Sequence, residues 1–153
     1  MGSTATTTTA LDDLLSTIGE ATAAYIGGDI ERYFELLDHG DEYTLMPPYG
    51  GPTRHGFTMT DEGLAETKRF FAGGSGVFEL EGCWCAGDLA VVAGIERQHG
   101  VVGGLPEQDW SLRVTLVLHR HGERWEMLHR HADGLVQEIP FELFANIARG
   151  AAG

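Results

Sequence analysis

The chain has 153 residues, of which 42% are hydrophobic and 22% are charged, and its formal net charge is −13 at pH 7. This length and composition suit one soluble globular domain with a single core. The negative charge argues against a nucleic-acid partner, because proteins that bind a phosphate backbone present a basic face. The N-terminus lacks the apolar stretch of a secretory signal, and no apolar run reaches the ~20 residues that span a bilayer. We therefore expect a cytoplasmic protein with no membrane partner.

The first half of the chain predicts three helices and one strand. Residues 1–8 are polar and are expected to form a disordered lead. Each helix opens at a Thr or Asp that can cap its first turn, and then repeats apolar residues at intervals of three and four. The helices are predicted from Thr9 to Gly27, from Asp29 to His39, and from Thr58 or Thr60 to Ala72. A short strand, Tyr43–Met46, precedes a loop rich in proline and glycine, Pro47–Phe57.

The second half predicts four antiparallel strands, because apolar and polar residues alternate with a period of two. The first two strands are expected at Val77–Cys85 and Leu89–His99, and the last two form a hairpin, Asp109–Asp133, that turns at Gly122. One face of the first hairpin arm carries Trp110, Leu112, Val114, Leu116 and Leu118. In the second arm, strict alternation places Trp125, Met127, His129, His131 and Asp133 on one side and Glu126, Leu128 and Arg130 on the other.

The order of these elements predicts a single α+β domain over residues 9–136. A tail over residues 137–153 follows, in which Pro140 begins a short helix. Three helices cover an antiparallel sheet of this length only if the sheet curves strongly around them. Because a sheet that curves in this way encloses a pocket, we expect a pocket beneath the helices.

Two stretches of the sequence resemble the nuclear transport factor 2-like superfamily. They are GDxxRYxxLxxxxDEYTLMPP, which begins at Gly28, and GERWEMLHRHAD, which ends at Asp133. The resemblance covers about residues 10–136 and is strongest to SnoaL-like domains and to the association domain of calmodulin-dependent kinase. It implies a cone, or cystatin-like roll, with the helices inside the curved sheet, a pocket open at one end, and an outer face often used for dimerisation.

The resemblance does not by itself imply one activity, because this fold carries many functions. The superfamily includes ketosteroid isomerase, scytalone dehydratase, limonene epoxide hydrolase and polyketide cyclases, together with binding and oligomerisation modules. The chain matches the catalytic pattern of none of these enzymes. In the kinase association domain, arginines on two strands point into the pocket. The corresponding positions here hold Glu96 and Leu116, so that ligand preference does not carry over.

The end of the hairpin carries an HxHxD pattern, His129, His131 and Asp133. Neighbours in this pattern lie about 6.5–7 Å apart on a strand, so two imidazoles and a carboxylate can surround a metal ion. Alternatively, the side chains bind backbone groups at the mouth of the sheet. The resembling family shares the histidines without depending on a metal, which favours no metal here. Since imidazole titrates near neutral pH, we predict a general acid or base role for His129 or His131.

Glu96 is the second candidate for acid–base chemistry. If it shares a face with Gly94 and Gln98 and that face is the core, it is a carboxylate in an apolar cavity, which suits proton abstraction. However, the opposite row of this strand is more apolar, namely Leu89, Val91, Ala93 and Ile95. Glu96 could therefore face water while Arg97 faces inward, or the two could form a structural ion pair.

Two loops carry candidate substrate-binding residues. Tyr49, Arg54 and His55 lie in the loop that follows the first strand, and loops fixed at a pocket rim often carry function. Trp110 could form one wall of an apolar pocket with Asp109 at the rim. The alternatives are exposed turn residues for the first group, core packing for Trp110, and an ion pair with Arg113 for Asp109.

The sequence has no nucleophile elbow and no phosphate-binding loop, so any chemistry is expected to need no cofactor. Our first hypothesis is a small enzyme of isomerase, cyclase, dehydratase or hydrolase type, acting on a small apolar carbonyl- or epoxide-bearing metabolite, as in secondary metabolism. The second is a non-catalytic small-molecule-binding or dimerisation module. In both cases we expect a homodimer that forms through the outer face carrying Ser111, Arg113, Thr115 and Val117.

Overall fold

The computed structural model describes the backbone of residues 3–151 and the side chains of residues 9–151. Its helices are α1 (Ser3–Ile26), α2 (Ile30–Leu36), α3 (Asp61–Phe70) and α4 (Phe141–Ala148). Its strands are β1 (Asp38–Met46), β2 (Arg54–His55), β3 (Phe71–Ala86), β4 (Leu89–Val102), β5 (Gln108–Asp109), β6 (Leu112–His121) and β7 (Arg124–Asp133). The α+β prediction is confirmed.

The ends of the predicted helices differ from the observed ones. α1 begins at Ser3, six residues before the predicted start at Thr9, whereas Asp29 and Thr60 cap α2 and α3 as predicted. The expected disordered lead over residues 1–8 stays a prediction, since Met1 and Gly2 and the side chains of residues 3–8 lie outside the description. Within the described residues, no helix is both long and apolar enough to cross a membrane.

The strands of the described chain form one sheet in the order β2-β1-β7-β6-β4-β3, and β5 also pairs with β4. All neighbouring strands are antiparallel except β1 and β7, which are parallel. The predicted four-strand antiparallel arrangement of the second half is found, and the parallel pair is an addition that the sequence analysis did not predict. Parallel neighbours require a long crossover connection, and the chain between Met46 and Arg124 provides one.

The two faces of the sheet have different surroundings. We call the face that α1 and α2 cover the inner face and the opposite one the outer face. The main core lies between the inner face and these helices, because burying both apolar surfaces stabilises the packing. Its buried members include Leu14, Ile18, Ile30, Leu37, Val92, Val114, Leu116, Leu118 and Met127. On the outer face, Val77 is 64% exposed and Trp84 is 61% exposed.

A β-bulge in β7 decides which residues reach the inner face. Val117 pairs with His129 and Leu118 pairs with Met127, so Leu128 has no partner on β6. One extra residue shifts the alternation of all residues that follow it. As a result, Arg130 and Met127 both face inward, while His129 faces outward. The predicted placement of Met127 with His129, His131 and Asp133 on one face is therefore wrong.

The loop between β1 and α3 is held against the domain. Its central strand, β2, pairs with β1 through Thr44 and Leu45. Phe57 stacks on Phe34 of α2 with ring centroids 4.4 Å apart. These contacts hold the loop next to one end of the inner face, at the junction between α2 and β1.

Candidate functional site

A buried ion pair lies at the centre of the inner face. Arg130 of β7 reaches diagonally across β6 and donates two hydrogen bonds to Glu96 of β4, with Nη1–Oε2 at 2.8 Å and Nη2–Oε1 at 2.6 Å. The side chains are 17% and 8% exposed, respectively. Charges removed from water in this way are tolerated because each satisfies the other and the guanidinium fork matches the carboxylate.

The orientation of β4 resolves the alternatives for Glu96. Ala90, Val92 and Glu96 are buried on the inner face, and the more apolar row that contains Val91 and Ile95 faces outward. Arg97 also faces outward and pairs with Glu79 of β3, with Nε–Oε2 at 3.1 Å. Glu96 therefore lies inside the domain, although its ionic partner is Arg130 rather than Arg97. Its catalytic role stays a prediction.

Three tyrosines from three different elements surround the ion pair. Tyr25 of α1, Tyr33 of α2 and Tyr43 of β1 lie close enough for the charges of Arg130 and Glu96 to act on their hydroxyl groups. Burial raises the pKa of all three phenols, and it raises the pKa of Tyr43 to about 12. These hydroxyl groups therefore remain protonated at neutral pH and can donate hydrogen bonds.

His39 extends this polar interior at the start of β1. Its Nδ1 lies 3.0 Å from the carbonyl oxygen of Leu37, and its Nε2 lies 3.5 Å from the hydroxyl of Tyr33. Because a carbonyl only accepts, Nδ1 carries the proton and Nε2 accepts from Tyr33. Burial lowers the pKa of His39 to about 4, so the ring is neutral at neutral pH.

Arg54 and Tyr49 lie beside this interior on the ordered loop. Arg54 donates a 2.8 Å hydrogen bond from Nη2 to the hydroxyl of Tyr49, and its charge also acts on Tyr25 and Tyr43. Tyr49 is 72% exposed. His55, in contrast, pairs with Thr44 on the outward side of β1. The structure thus brings Arg54 and Tyr49 towards the buried pair, but not His55.

The two histidines of the HxHxD pattern lie on the outer face. His129 is tied to Thr44, with Nδ1 2.6 Å from Oγ1. Asp133 accepts two 2.8 Å hydrogen bonds from Arg113. Within residues 3–151, no three His, Cys, Asp or Glu side chains are arranged to hold a metal ion. The body of the sheet separates His129 and His131 from Glu96, so they cannot act with it on one substrate.

Asp109 is held by hydrogen bonds within its own loop, and Trp110 by a hydrogen bond to β4. Asp109 accepts hydrogen bonds from the backbone N–H of Ser111, at 2.9 Å, and from its hydroxyl, at 3.1 Å. Trp110 donates from Nε1 to the carbonyl oxygen of Gly100 at 3.0 Å. Both line an open hollow of about 460 Å³. The alternative pair of Asp109 with Arg113 does not form, because Arg113 binds Asp133.

Sequence reasoning missed most of the polar residues in the interior. Tyr25 and Tyr33 follow the three- and four-residue spacing of the apolar residues in their helices, so the sequence does not single them out. Strict alternation did not place Arg130 on the same face as Met127. One signal was available, since a buried carboxylate requires a cationic partner. Once Glu96 is placed inside, the neighbouring strands have to supply that cation.

A family comparison agrees with this fold. Residues 14–133 match the family model of the SnoaL-like domain. The chain belongs to the SnoaL-like domain family. No curated protein gives a significant match to the chain.

Several solved structures share the fold. An NTF2-like protein of unknown function from Shewanella oneidensis is 20% identical, with a TM-score of 0.59, covering 80% of this chain and 98% of its own. The calmodulin kinase II hub homology domain of Chlamydomonas reinhardtii is 21% identical, with a TM-score of 0.58 and coverages of 81% and 97%. A candidate dehydratase of the NTF2-like family from Streptomyces avermitilis is 23% identical, with a TM-score of 0.55 and coverages of 82% and 99%. At these identities, the likeness shows the fold alone.

Proposed function

We propose that this SnoaL-like protein is a cofactor-independent enzyme that transfers protons on a small, apolar, carbonyl- or epoxide-bearing metabolite. The observation that carries the proposal is the buried Glu96 carboxylate, fixed by Arg130 and surrounded by protonated tyrosine hydroxyls. Ionisable groups from α1, α2, β1, β4 and β7 converge at this place, and such convergence marks functional sites.

Glu96 is the proposed general base. A carboxylate has about four lone-pair positions, and Arg130 uses two of them, which leaves the others for a substrate proton or a water molecule. Arg130 is a positioning residue that holds the carboxylate in one orientation through two hydrogen bonds. His129 and His131 have no part in this mechanism because they lie on the other face of the sheet.

The tyrosines are the proposed electrophilic groups. Proton abstraction next to a carbonyl produces an oxyanion, and a hydroxyl donor that is already oriented stabilises that charge. Tyr43 is suited to this role, because its hydroxyl is protonated at neutral pH and lies within reach of the charges of Arg130 and Glu96. Arg54 and Tyr49 of the neighbouring loop are proposed to contact the outer part of the substrate.

The charge balance of the interior supports an uncharged substrate. The charges of Glu96 and Arg130 cancel, and His39 is neutral at neutral pH. An anionic ligand would have to compete with Glu96 for Arg130, and breaking a buried pair costs several kcal/mol. A neutral ketone or epoxide forms hydrogen bonds with the tyrosines without disturbing the pair.

The test uses a panel of small 1,3-diketones, β,γ-unsaturated ketones and epoxides, followed by NMR in D₂O for proton exchange, isomerisation or ring opening. We expect turnover of at least one compound class, and a loss of roughly 10²–10⁴-fold in Glu96→Gln, the usual contribution of a general base. Glu79→Gln is the matched control, since Glu79 forms an exposed ion pair with Arg97 on the same pair of strands. Equal activity of the two variants, or no turnover of any compound, would overturn the proposal.

A second candidate function is a non-catalytic dimerisation or ligand-binding module. It is favoured by the apolar outer face and by solved structures named as kinase hub domains. We propose a homodimer through this face, near Arg113, Thr115 and Val117. Ser111 was expected there, but it is buried. A sedimentation mass twice the 16.6 kDa of one chain would support the dimer, and a mass of one chain would contradict it.

A further inference from the structure

Helix α4 exposes an apolar face that its own domain does not cover. Its exposed apolar residues are Phe141 (78%), Leu143 (42%), Phe144 (41%) and Ile147 (50%). None of its described residues is buried, and it has no extensive contact with another helix or strand of the described chain. An isolated helix of eight residues is unstable in water, so α4 requires a packing partner.

The polar residues of α4 lie on one side, so the helix is amphipathic. With 3.6 residues per turn, Glu142 and Asn146 fall together, opposite the side that carries Phe141 and Phe144. The two phenylalanine rings are neighbours, with centroids 5.9 Å apart. The helix therefore offers one continuous aromatic and aliphatic surface to a partner.

The outer face of the sheet carries an open groove of about 500 Å³. Ala93, Ile95 and Thr115 contribute to its floor, and the Arg113–Asp133 ion pair lies at its side. This groove begins next to Asp133, where β7 ends and the tail that carries α4 starts. The groove and the base of the tail are thus adjacent on every copy of the chain.

We propose that α4 of one copy docks into the outer-face groove of a second copy, so that the two helices are exchanged across a dimer. An interface with two-fold symmetry places the same patch of both copies together. Two copies that meet at this groove therefore bring each tail next to the partner's groove. This inference rests on the dimer proposed above and assigns to α4 the role of its clamp.

Helix exchange would bury a large part of the area that a stable dimer needs. Phe141 and Phe144 of two copies can remove on the order of 500 Å² from water, because one phenylalanine buries 150–250 Å² when fully covered. The groove side buries a comparable area. Helix exchange would then supply a large part of the roughly 1,200–2,000 Å² that specific interfaces bury.

The charge of the chain favours a second copy over a lipid surface as the partner. α4 contains Glu142 and no lysine or arginine, its one basic neighbour is the C-cap residue Arg149, which binds Asn146, and the chain has a net charge of −13. Amphipathic helices that bind membranes usually carry basic residues on the polar side, which attract anionic lipids. α4 has little of that attraction, whereas its apolar side can pack on the Ala93 and Ile95 side of the groove, which Glu81, Arg113, His131 and Asp133 also line.

The first experiment compares the variant Phe141→Ser/Phe144→Ser with Leu105→Ser by sedimentation velocity. Leu105 is also exposed, but it lies in the loop that follows β4. We expect a dimer for the wild type and for Leu105→Ser, and at least a tenfold weaker dimer for the double variant, with the same far-UV circular dichroism. A wild-type monomer would overturn both the dimer and the exchange. An equally stable dimer of the double variant would overturn the exchange alone.

A second experiment shows on which copy α4 docks. Cys83 and Cys85, the free cysteines, are replaced by alanine, and a nitroxide is attached at Glu142→Cys on the polar side of α4. This protein is mixed with a ¹⁵N-labelled copy that carries no nitroxide. Broadening of the amide signals of Ala93, Ile95 and Thr115 in the ¹⁵N-labelled copy is expected. Its absence, or binding of α4 to phosphatidylglycerol vesicles instead, would overturn the proposal.

Discussion

Arg130 and Glu96 form a bidentate ion pair across the inner face of the sheet, although the two strands that carry them are not neighbours. The pair links β7 to β4 over β6 and places a fixed carboxylate beside the buried phenols of Tyr33 and Tyr43 and the partly buried phenol of Tyr25. It is therefore both a structural bridge and the proposed catalytic centre, and these two roles have separate consequences for variants.

Removal of the cation should destabilise the fold. Arg130→Met leaves Glu96 buried without a partner, so we expect the free energy of unfolding to fall by about 3–5 kcal/mol. The double variant Glu96→Leu/Arg130→Met should recover most of this loss, because no unpaired charge remains. Urea denaturation measures the free energy of unfolding of both variants. Arg97→Met, which breaks the exposed pair with Glu79, should cost at most about 1 kcal/mol, and an equal loss in Arg130→Met would contradict the prediction.

His39 should make the fold sensitive to acid. Burial lowers its pKa from 6.5 to about 4, so the folded protein binds fewer protons than the unfolded chain between these two values. The contribution of His39 is fully present above pH 6.5 and is lost as the pH falls through this window, by up to about 3 kcal/mol. Urea denaturation from pH 4 to 7 should show a weaker pH dependence in His39→Phe. The exposed His55→Gln should behave like the wild type.

Tyr43 should act on the chemical step rather than on binding. With its pKa raised to about 12, its hydroxyl stays protonated and donates to the developing oxyanion. Tyr43→Phe should therefore lower kcat by roughly 10²-fold with little change in KM. Tyr49→Phe, on the exposed loop, should instead raise KM. Steady-state kinetics with a compound from the panel distinguishes the effect on kcat from the effect on KM. An unchanged kcat in Tyr43→Phe would exclude a role of Tyr43 in stabilising the oxyanion.

Deletion of Leu128 should remove the bulge in β7 without moving the residues that follow to the other face. Met127 and His129 would keep Leu118 and Val117 as their partners, so Arg130 would still face inward and bind Glu96. We therefore expect a loss of stability below the roughly 3–5 kcal/mol that breaking the buried pair costs. Deletion of Leu105, in an exposed loop, is the matched control, and thermal denaturation followed by circular dichroism compares the two. A much lower melting temperature for the Leu128 deletion would show that the fold requires the bulge itself.

The predicted strands of the second half were found, because their alternation is long and regular. The face of β4 was harder to predict, since the row with Val91 and Ile95 is more apolar than the row with Glu96. The structure shows that the apolar row faces outward. We explain its apolar character by the proposed dimer, since an interface selects apolar residues in the same way as a core.

Only part of the candidate site could be predicted from the sequence. Glu96, Tyr49 and Arg54 were proposed from the sequence and lie in or beside the polar interior. Tyr25 and Tyr33 also lie there, but on a helix a tyrosine follows the same periodicity as any apolar residue. Their rings meet only because α1 and α2 pack on the same part of the sheet.

The sequence by itself determined the α+β class, the order of the elements and the resemblance to SnoaL-like domains, because these depend on local periodicity and on short motifs. Only the tertiary structure decided that Arg130, and not His129 or His131, meets Glu96. The physical reason is that side chains on a strand alternate with a period of two, so one bulged residue moves all later residues to the other face. That bulge at Leu128 depends on how β7 pairs with β6, and the sequence of β7 does not specify it.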